Sequence, residues 1–269
     1  MQKIEGCNIK TAKSTEEIIE NIKYNVSKNY VNLLDSYAWR ENIPIAIVGG
    51  GPSLKNTVGE LKNYKYIIAC GSVHDYLLEN KVVPHYCVIC DPDEIMGNYL
   101  QKKTQHTTYF IASQCHPSIF KLLSHSPCLI WHAGGYNFKE SPYGDANMGV
   151  GGGCTVGTRA LCIALGMGFY DIHLYGFDTC LDENYKHHAY EFTDNEKESI
   201  GDIKEIRLGD PVKGKKFYVA GYHIGQLFDF KRMLETYAER MNVTVHGGGL
   251  LSELMELAKI KVSEIKNDN

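Results

Sequence analysis

The sequence predicts an α/β fold built on a mainly parallel sheet covered by helices on both faces. Three observations point there. Short apolar runs of strand length recur along the chain and alternate with segments of helical periodicity. The first strong run, Ile45-Ala46-Ile47-Val48, ends in Gly49-Gly50-Gly51 and then Pro52-Ser53, so a strand feeds a tight turn and a helix start. The polar residues of chemical interest cluster where such runs end, which is where open parallel sheets bind ligands.

In chain order, the first forty residues read as helical. Ser14-Thr15-Glu16-Glu17 supplies an N-cap and an acidic first turn, and Ile18, Ile19, Ile22, Tyr24 and Val26 follow at mostly helical spacing. Residues 1–40 are therefore expected to form a helical segment packed on the main domain or an oligomer contact. Residues 41–260 form that domain, and 261–269 a polar tail. After the glycine loop come strands at Tyr66–Gly71, Pro84–Asp91, Thr108–Ser113, Cys128–His132, Asp171–Gly176 and Val243–His246. A helix carrying His74, Tyr76, Leu77 and Leu78 follows the second strand, and another, of small and apolar residues, is expected over Thr158–Gly166. Gly221–Glu239 reads as a helix with Leu227, Phe230, Met233, Leu234 and Tyr237 on its core face. Thr193–Lys216 is charged and turn-rich, suited either to a mobile lid or to a solvated hairpin.

Composition narrows the class. With 269 residues, 43% hydrophobic and 22% charged, the chain can bury a full core. A net charge of −4 and a pI near 6.3 argue against nucleic acid or an anionic membrane as the main partner, since both need clustered Lys and Arg. The start carries no apolar leader and no run approaches a membrane span, so a soluble, cytoplasmic protein is expected. Nine cysteines, mostly inside apolar segments, fit reduced thiols packed as small hydrophobes. Cys87 and Cys90 form a C-x-x-C within a strand, where alternation sends them to opposite faces, and no second pair completes a zinc site.

Gly49, Gly50 and Gly51 allow close backbone approach, and the helix start behind them favours an anion, so a nucleotide or phosphorylated ligand is the natural candidate. Leu54 breaks the dinucleotide G-x-G-x-x-G pattern, and Lys55-Asn56-Thr57 stands where a P-loop needs Gly-Lys-Ser/Thr. A glycine-rich turn with no ligand is the alternative. Other strand ends carry Asp91 with Asp93, Gln114 with His116, His132, Asp178, and His246 with Gly247, Gly248 and Gly249. Taken singly, each also suits turn chemistry or a satisfied core histidine. Gly151 to Gly157 opens a second glycine-rich loop, where Gly153 and Thr155 offer backbone and hydroxyl donors or simply allow close helix packing. Past Asp178, the polar run Asp182–Tyr190 holds His187 and His188, suited to a base or a phosphate contact. A zinc site from this pair is less favoured, because neighbours rarely share one ion.

These motifs, in this order, support a resemblance. Gly-Gly-Gly-Pro-Ser-Leu, Pro-His-Tyr-Cys-Val-Ile-Cys-Asp-Pro, Gly-Gly-Cys-Thr-Val-Gly, the Ile163–Asp178 run and His-His-Ala-Tyr together resemble the MptE-like hydroxymethylpterin diphosphokinase family. That family shares a Rossmann-like domain with the Maf flagellin-glycosylation factors. The likeness runs from about residue 20 to about 255. A weaker one reaches bacterial CMP-sialic-acid-dependent sialyltransferases, which have a similar Gly-x-Gly-Pro-Ser loop but typically lack an aspartate where this chain has Asp91.

The resemblance implies a nucleotide-dependent transferase acting on a small-molecule hydroxyl acceptor. For diphosphoryl transfer from ATP, Asp91, Asp93 and Asp178 would hold Mg²⁺. Gly50, Gly51 and Ser53 would bind phosphate, with Gly49, Pro52, Gln114, His116, Gly153, Thr155 and Gly176 completing the nucleotide site. His187 or His188, with Asp178, would serve the acceptor hydroxyl. For transfer of a CMP-activated sugar, His188 would be the base and Thr155 a donor to the leaving phosphate. The aspartates place diphosphoryl transfer first. A non-catalytic nucleotide-binding module is the third reading, and a homo-oligomer is compatible with all three.

Overall fold

Seven of the apolar runs form a single sheet in the computed structural model, which describes residues 13–36, 43–102, 104–134, 149–191, 201–237 and 239–267. The strands are β1 (Ile45–Val48), β2 (Tyr66–Cys70), β3 (Tyr86–Ile89), β4 (Thr108–Ala112), β5 (Cys128–Trp131) and β6 (Asp171–Tyr175). Next come β7 (Lys204–Leu208) and β8 (Lys215–Val219), which pair antiparallel with each other, and then β9 (Asn242–His246). The large sheet runs β5-β4-β3-β2-β1-β6-β9, with every neighbouring pair parallel. The chain therefore winds outward from β1 to β5, returns to the other side of β1 for β6, and leaves a crevice where that direction switches.

Burial explains the continuous apolar runs. Ile45, Ala46, Ile47 and Val48 are fully buried, so β1 has no solvent face to alternate with. Each of the isoleucine and valine side chains contributes about 1.5–3 kcal/mol of hydrophobic stabilisation. The largest fully buried side chains, Trp131, Tyr109, Tyr175, Phe110 and Phe169, sit on or beside the strands.

Among the described residues seven helices flank these strands: α1 (Thr15–Val26), α2 (Leu54–Thr57), α3 (Val73–Glu79), α4 (Pro117–Leu122), α5 (Val156–Gly166), α6 (Gly221–Tyr237) and α7 (Leu250–Asn267). The α1 N-terminus is a capping box in which Glu17 N–H donates to Ser14 Oγ and Ser14 N–H to Glu17 Oε2. Ile18, Ile22 and Asn25 form its buried face, whereas Tyr24 is exposed. Asn25 fastens α1 to the main domain, donating to the Ser113 and Cys115 carbonyls at 2.9 and 2.8 Å. Helix α5 packs across β1, β2 and β3. It begins at Val156, two residues earlier than expected, because Thr155 is its N-cap.

Two further expectations change, and the 193–216 segment takes the hairpin form of its two alternatives. Tyr237 lies exposed although Phe230 and Met233 on the same helix are buried. Helix α7 runs through Asn267, into the segment expected to be a polar tail. The described part of the charged 193–216 segment is a hairpin strand with exposed residues, β7; residues 192–200 lie outside the description, as do 1–12, 37–42 and 268–269. Among the described residues no helix is long and apolar enough to cross a membrane.

Candidate active site at the glycine loop

The β1–β6 ladder continues past both strand ends. Gly49 N–H donates to the Tyr175 carbonyl at 2.8 Å and Gly51 N–H to the Gly176 carbonyl at 2.9 Å. Asp178, just beyond β6, then clamps the loop: its Oδ1 accepts from Ser53 N–H at 3.0 Å and its Oδ2 from the Ser53 hydroxyl at 2.9 Å. The Asp178 carbonyl also accepts from Leu250 N–H at 2.8 Å, so the same residue anchors α7. Burial pushes the Asp178 carboxyl up to about 6, against the downward pull of the two Ser53 hydrogen bonds.

The histidine segment folds onto this loop. Asp182 Oδ1 accepts from Asn184 and Lys186 N–H at 2.8 and 2.9 Å, which closes its own turn. The Gly50 carbonyl accepts from Ala189 N–H at 2.8 Å, and the Tyr190 hydroxyl bonds Ser72 Oγ at 2.6 Å. The approach is close enough that a Cβ at Gly50 would fall 2.5 Å from His188 Cδ2 and 2.6 Å from the Tyr190 hydroxyl. At Gly51 a Cβ would overlap Asp178 Oδ2 and lie 2.6 Å from the Gly176 carbonyl.

Between these parts is a cavity of about 140 Å³, lined by the glycine loop, Thr155, Asp178, Thr179, His187, His188, Tyr222, His223 and Gln226 among others. One water needs roughly a tenth of that, so the space suits a ligand group. Burial lowers the three histidines: His187 to about 4, His188 to about 2, helped by the neighbouring His187 and His223, and His223 to about 3. At neutral pH all three are uncharged. His223 Nδ1 accepts from Ala220 N–H at 3.0 Å, which fixes the neutral tautomer with its proton on Nε2. Thr179 is β-branched yet has φ of 51°, a strained left-handed backbone. Its hydroxyl is buried without a hydrogen-bond partner.

The structure divides the residues singled out from sequence into two groups. Gly49, Gly50, Gly51, Thr155, Gly176, Asp178, His187 and His188 line the cavity. Ser53 lies behind the loop with both its donors on Asp178, and Pro52 precedes it outside the lining, so the Gly51 and Ser53 N–H groups are already engaged within the protein. Gly153 packs against the Asp229 carboxylate, which also accepts from Cys154 N–H at 2.7 Å. Gln114 donates to the Cys90 carbonyl, His116 caps α4 through Ser118, and His132 bonds Ser113 Oγ at 3.0 Å. Asp91 accepts from Asp93 N–H at 2.9 Å, and Asp93 caps the 3₁₀ turn Glu94–Tyr99. Among the described residues no three His, Cys, Asp or Glu side chains gather to hold an ion. Of the three aspartates, Asp178 lines the cavity and Asp91 and Asp93 do not.

His223, Tyr222 and Gln226 were not visible as site residues in the sequence. They lie on the first two turns of α6, a helix legible there only by its apolar spacing. His223 is the residue that completes the imidazole cluster.

The MptE-like family model, described as 6-hydroxymethylpterin diphosphokinase MptE-like, matches residues 16–184. No curated protein matches the sequence. Among solved structures, the chain is similar to the Maf glycosyltransferase from Magnetospirillum magneticum AMB-1, with a TM-score of 0.64 and 17% identity over 87% of this chain. The match spans only 37% of that longer protein. A mammalian sialyltransferase in complex with Gal-beta-1-3GalNAc-ortho-nitrophenol aligns at a TM-score of 0.45 and 14% identity, over 92% of this chain and 82% of that one.

Proposed function

The chain belongs to the MptE-like family, and from that premise we propose that it is a nucleotide-dependent transferase whose active site is the histidine-lined cavity over the glycine loop. The observation that carries the reading is the convergence of three uncharged imidazoles with the Thr155 hydroxyl at the β1–β6 switch point. Within that class we favour glycosyl transfer from a nucleotide-activated sugar of the CMP type to a hydroxyl acceptor. His223, with its proton held on Nε2, and Thr155 donate to the leaving phosphate. His188, packed against Gly50, accepts the acceptor's proton; a bound phosphate beside it raises its basicity from the depressed value of the ligand-free site.

Diphosphoryl transfer from ATP is the second reading, favoured by the description of the family. It ranks second because only Asp178 of the three carboxylates expected to hold Mg²⁺ lines the cavity. The test is product release from the full chain given either a CMP-activated sugar with a hydroxyl acceptor or ATP with a hydroxymethylpterin. CMP release that disappears in His188→Ala supports glycosyl transfer. AMP release with the pterin puts diphosphoryl transfer first, and nucleotide binding with neither product favours a non-catalytic module.

A further inference from the structure

Gln226 lines the cavity and is part-exposed there. Among the described residues its carboxamide forms no hydrogen bond within the protein. It stands three residues after His223 on α6, so the two side chains share one face of the helix, about one turn apart. The next turn fastens the helix in place: Asp229 Oδ2 accepts from Cys154 N–H at 2.7 Å and Asp229 Oδ1 from Arg232 Nη2 at 3.1 Å. Toward α5, Gln226 reaches Gly157, where an added Cβ would lie 3.7 Å from Gln226 Nε2 and 2.7 Å from the Phe177 ring. Gly157 follows the N-cap Thr155 by two residues, so the carboxamide sits beside the first turn of α5, next to the cavity hydroxyl of Thr155 in sequence.

We propose that Gln226 is a specificity-determining residue that binds the nucleoside part of the ligand, through a ligand group that sets a hydrogen-bond donor beside an acceptor. The assignment rests on the reading of the cavity as a nucleotide-binding transferase site, in which His223 and Thr155 hold the phosphate. One helical turn, about 5.4 Å, takes the chain from His223 to Gln226, a step on the scale of that from a phosphate to the sugar attached to it. The carboxamide offers N–H and C=O together, which suits a ribose hydroxyl pair or the amide-like edge of a pyrimidine. A phosphate, which only accepts, is better met by the charged donors of Lys or Arg. Because Gln226 rides on a helix that Asp229 anchors, and no protein partner must be given up, binding a ligand costs it only its own rotamer freedom.

The test is calorimetric titration of the full chain, as wild type, Gln226→Met and Gln226→Asn, with CMP, ribose 5-phosphate and inorganic phosphate. Gln226→Met keeps the length of the side chain and loses both hydrogen-bonding groups, so CMP affinity falls by about tenfold while inorganic phosphate binds as in wild type. Gln226→Asn keeps the carboxamide one methylene shorter and retains part of the lost affinity. A loss shared by ribose 5-phosphate places the contact on the ribose, and a loss confined to CMP places it on the base. Equal CMP affinity in wild type and Gln226→Met overturns the proposal, as does an equal loss for inorganic phosphate, the mark of a cavity damaged as a whole. A wild type that binds none of the three overturns the nucleotide reading and this assignment with it, whereas wild-type binding that both variants leave untouched removes Gln226 alone.

Discussion

The two halves of the sheet's carboxyl edge use similar residues for different ends. On the β6–β1 half, Asp178, His187 and His188 converge on one cavity above the glycine loop. On the β3–β4 half, Asp91, Asp93 and His116 close turns and cap short helices next to them in sequence. The difference lies in topology. At the switch point, consecutive loops leave β1 and β6 in different directions and enclose space, whereas between β3 and β4 neighbouring loops pack against each other. In this chain the strand-end polar residues that line the cavity are those beside the reversal of strand order.

The largest predicted contrast is in turnover. His188→Ala or His223→Gln lowers the rate of nucleotide-product release by about 10²–10⁴-fold, while His116→Ala leaves it unchanged; equal losses in all three would break the comparison. Stability separates the halves next. Gly51→Ala forces a Cβ onto Asp178 and costs about 1–3 kcal/mol in denaturant unfolding. Gly97→Ala, whose Cβ meets only side-chain carbons at 3.7 Å, stays within about 0.5 kcal/mol.

Acid stability sharpens the contrast further. His223 is held at about 3 in the folded protein, below its unfolded value of about 6.5. Its contribution is present above that unfolded value and is lost as pH falls toward 3, because only the unfolded chain gains the proton. The slope is at most about 1.4 kcal/mol per pH unit, and His223→Gln should flatten it in urea titrations between about pH 6 and 4. Asp178, raised to about 6, acts with the opposite sign: its neutral form favours the fold, and that advantage fades as pH rises through 6. The smallest effect is expected for Asp93→Ala, which removes a cap worth about 1 kcal/mol and leaves turnover intact.

Much of the fold was legible because each strand of the large sheet is a run with its own turn signals, and parallel burial makes such runs continuous. Helix α7 was not, since its start depends on the Asp178 carbonyl, a partner far away in sequence. The cavity was legible through Gly50, Asp178 and His188, whose motifs lie at the switch point. His223 was hidden because the first turn of α6 resembles any amphipathic helix until the sheet places it opposite His188. Asn25 escaped for the same reason: a polar residue on a helix reads as solvated until it meets the Ser113 and Cys115 carbonyls.

The central claim is that the imidazole cluster over the glycine loop binds a nucleotide, and calorimetric titration of the full chain with CMP in the presence of a chelator tests it most directly. The account predicts metal-independent binding that is lost in Gly50→Ala, whose added methyl displaces His188, and retained in Asp91→Asn. Binding only of ATP with Mg²⁺, weakened by Asp91→Asn and indifferent to Gly50→Ala, would contradict it.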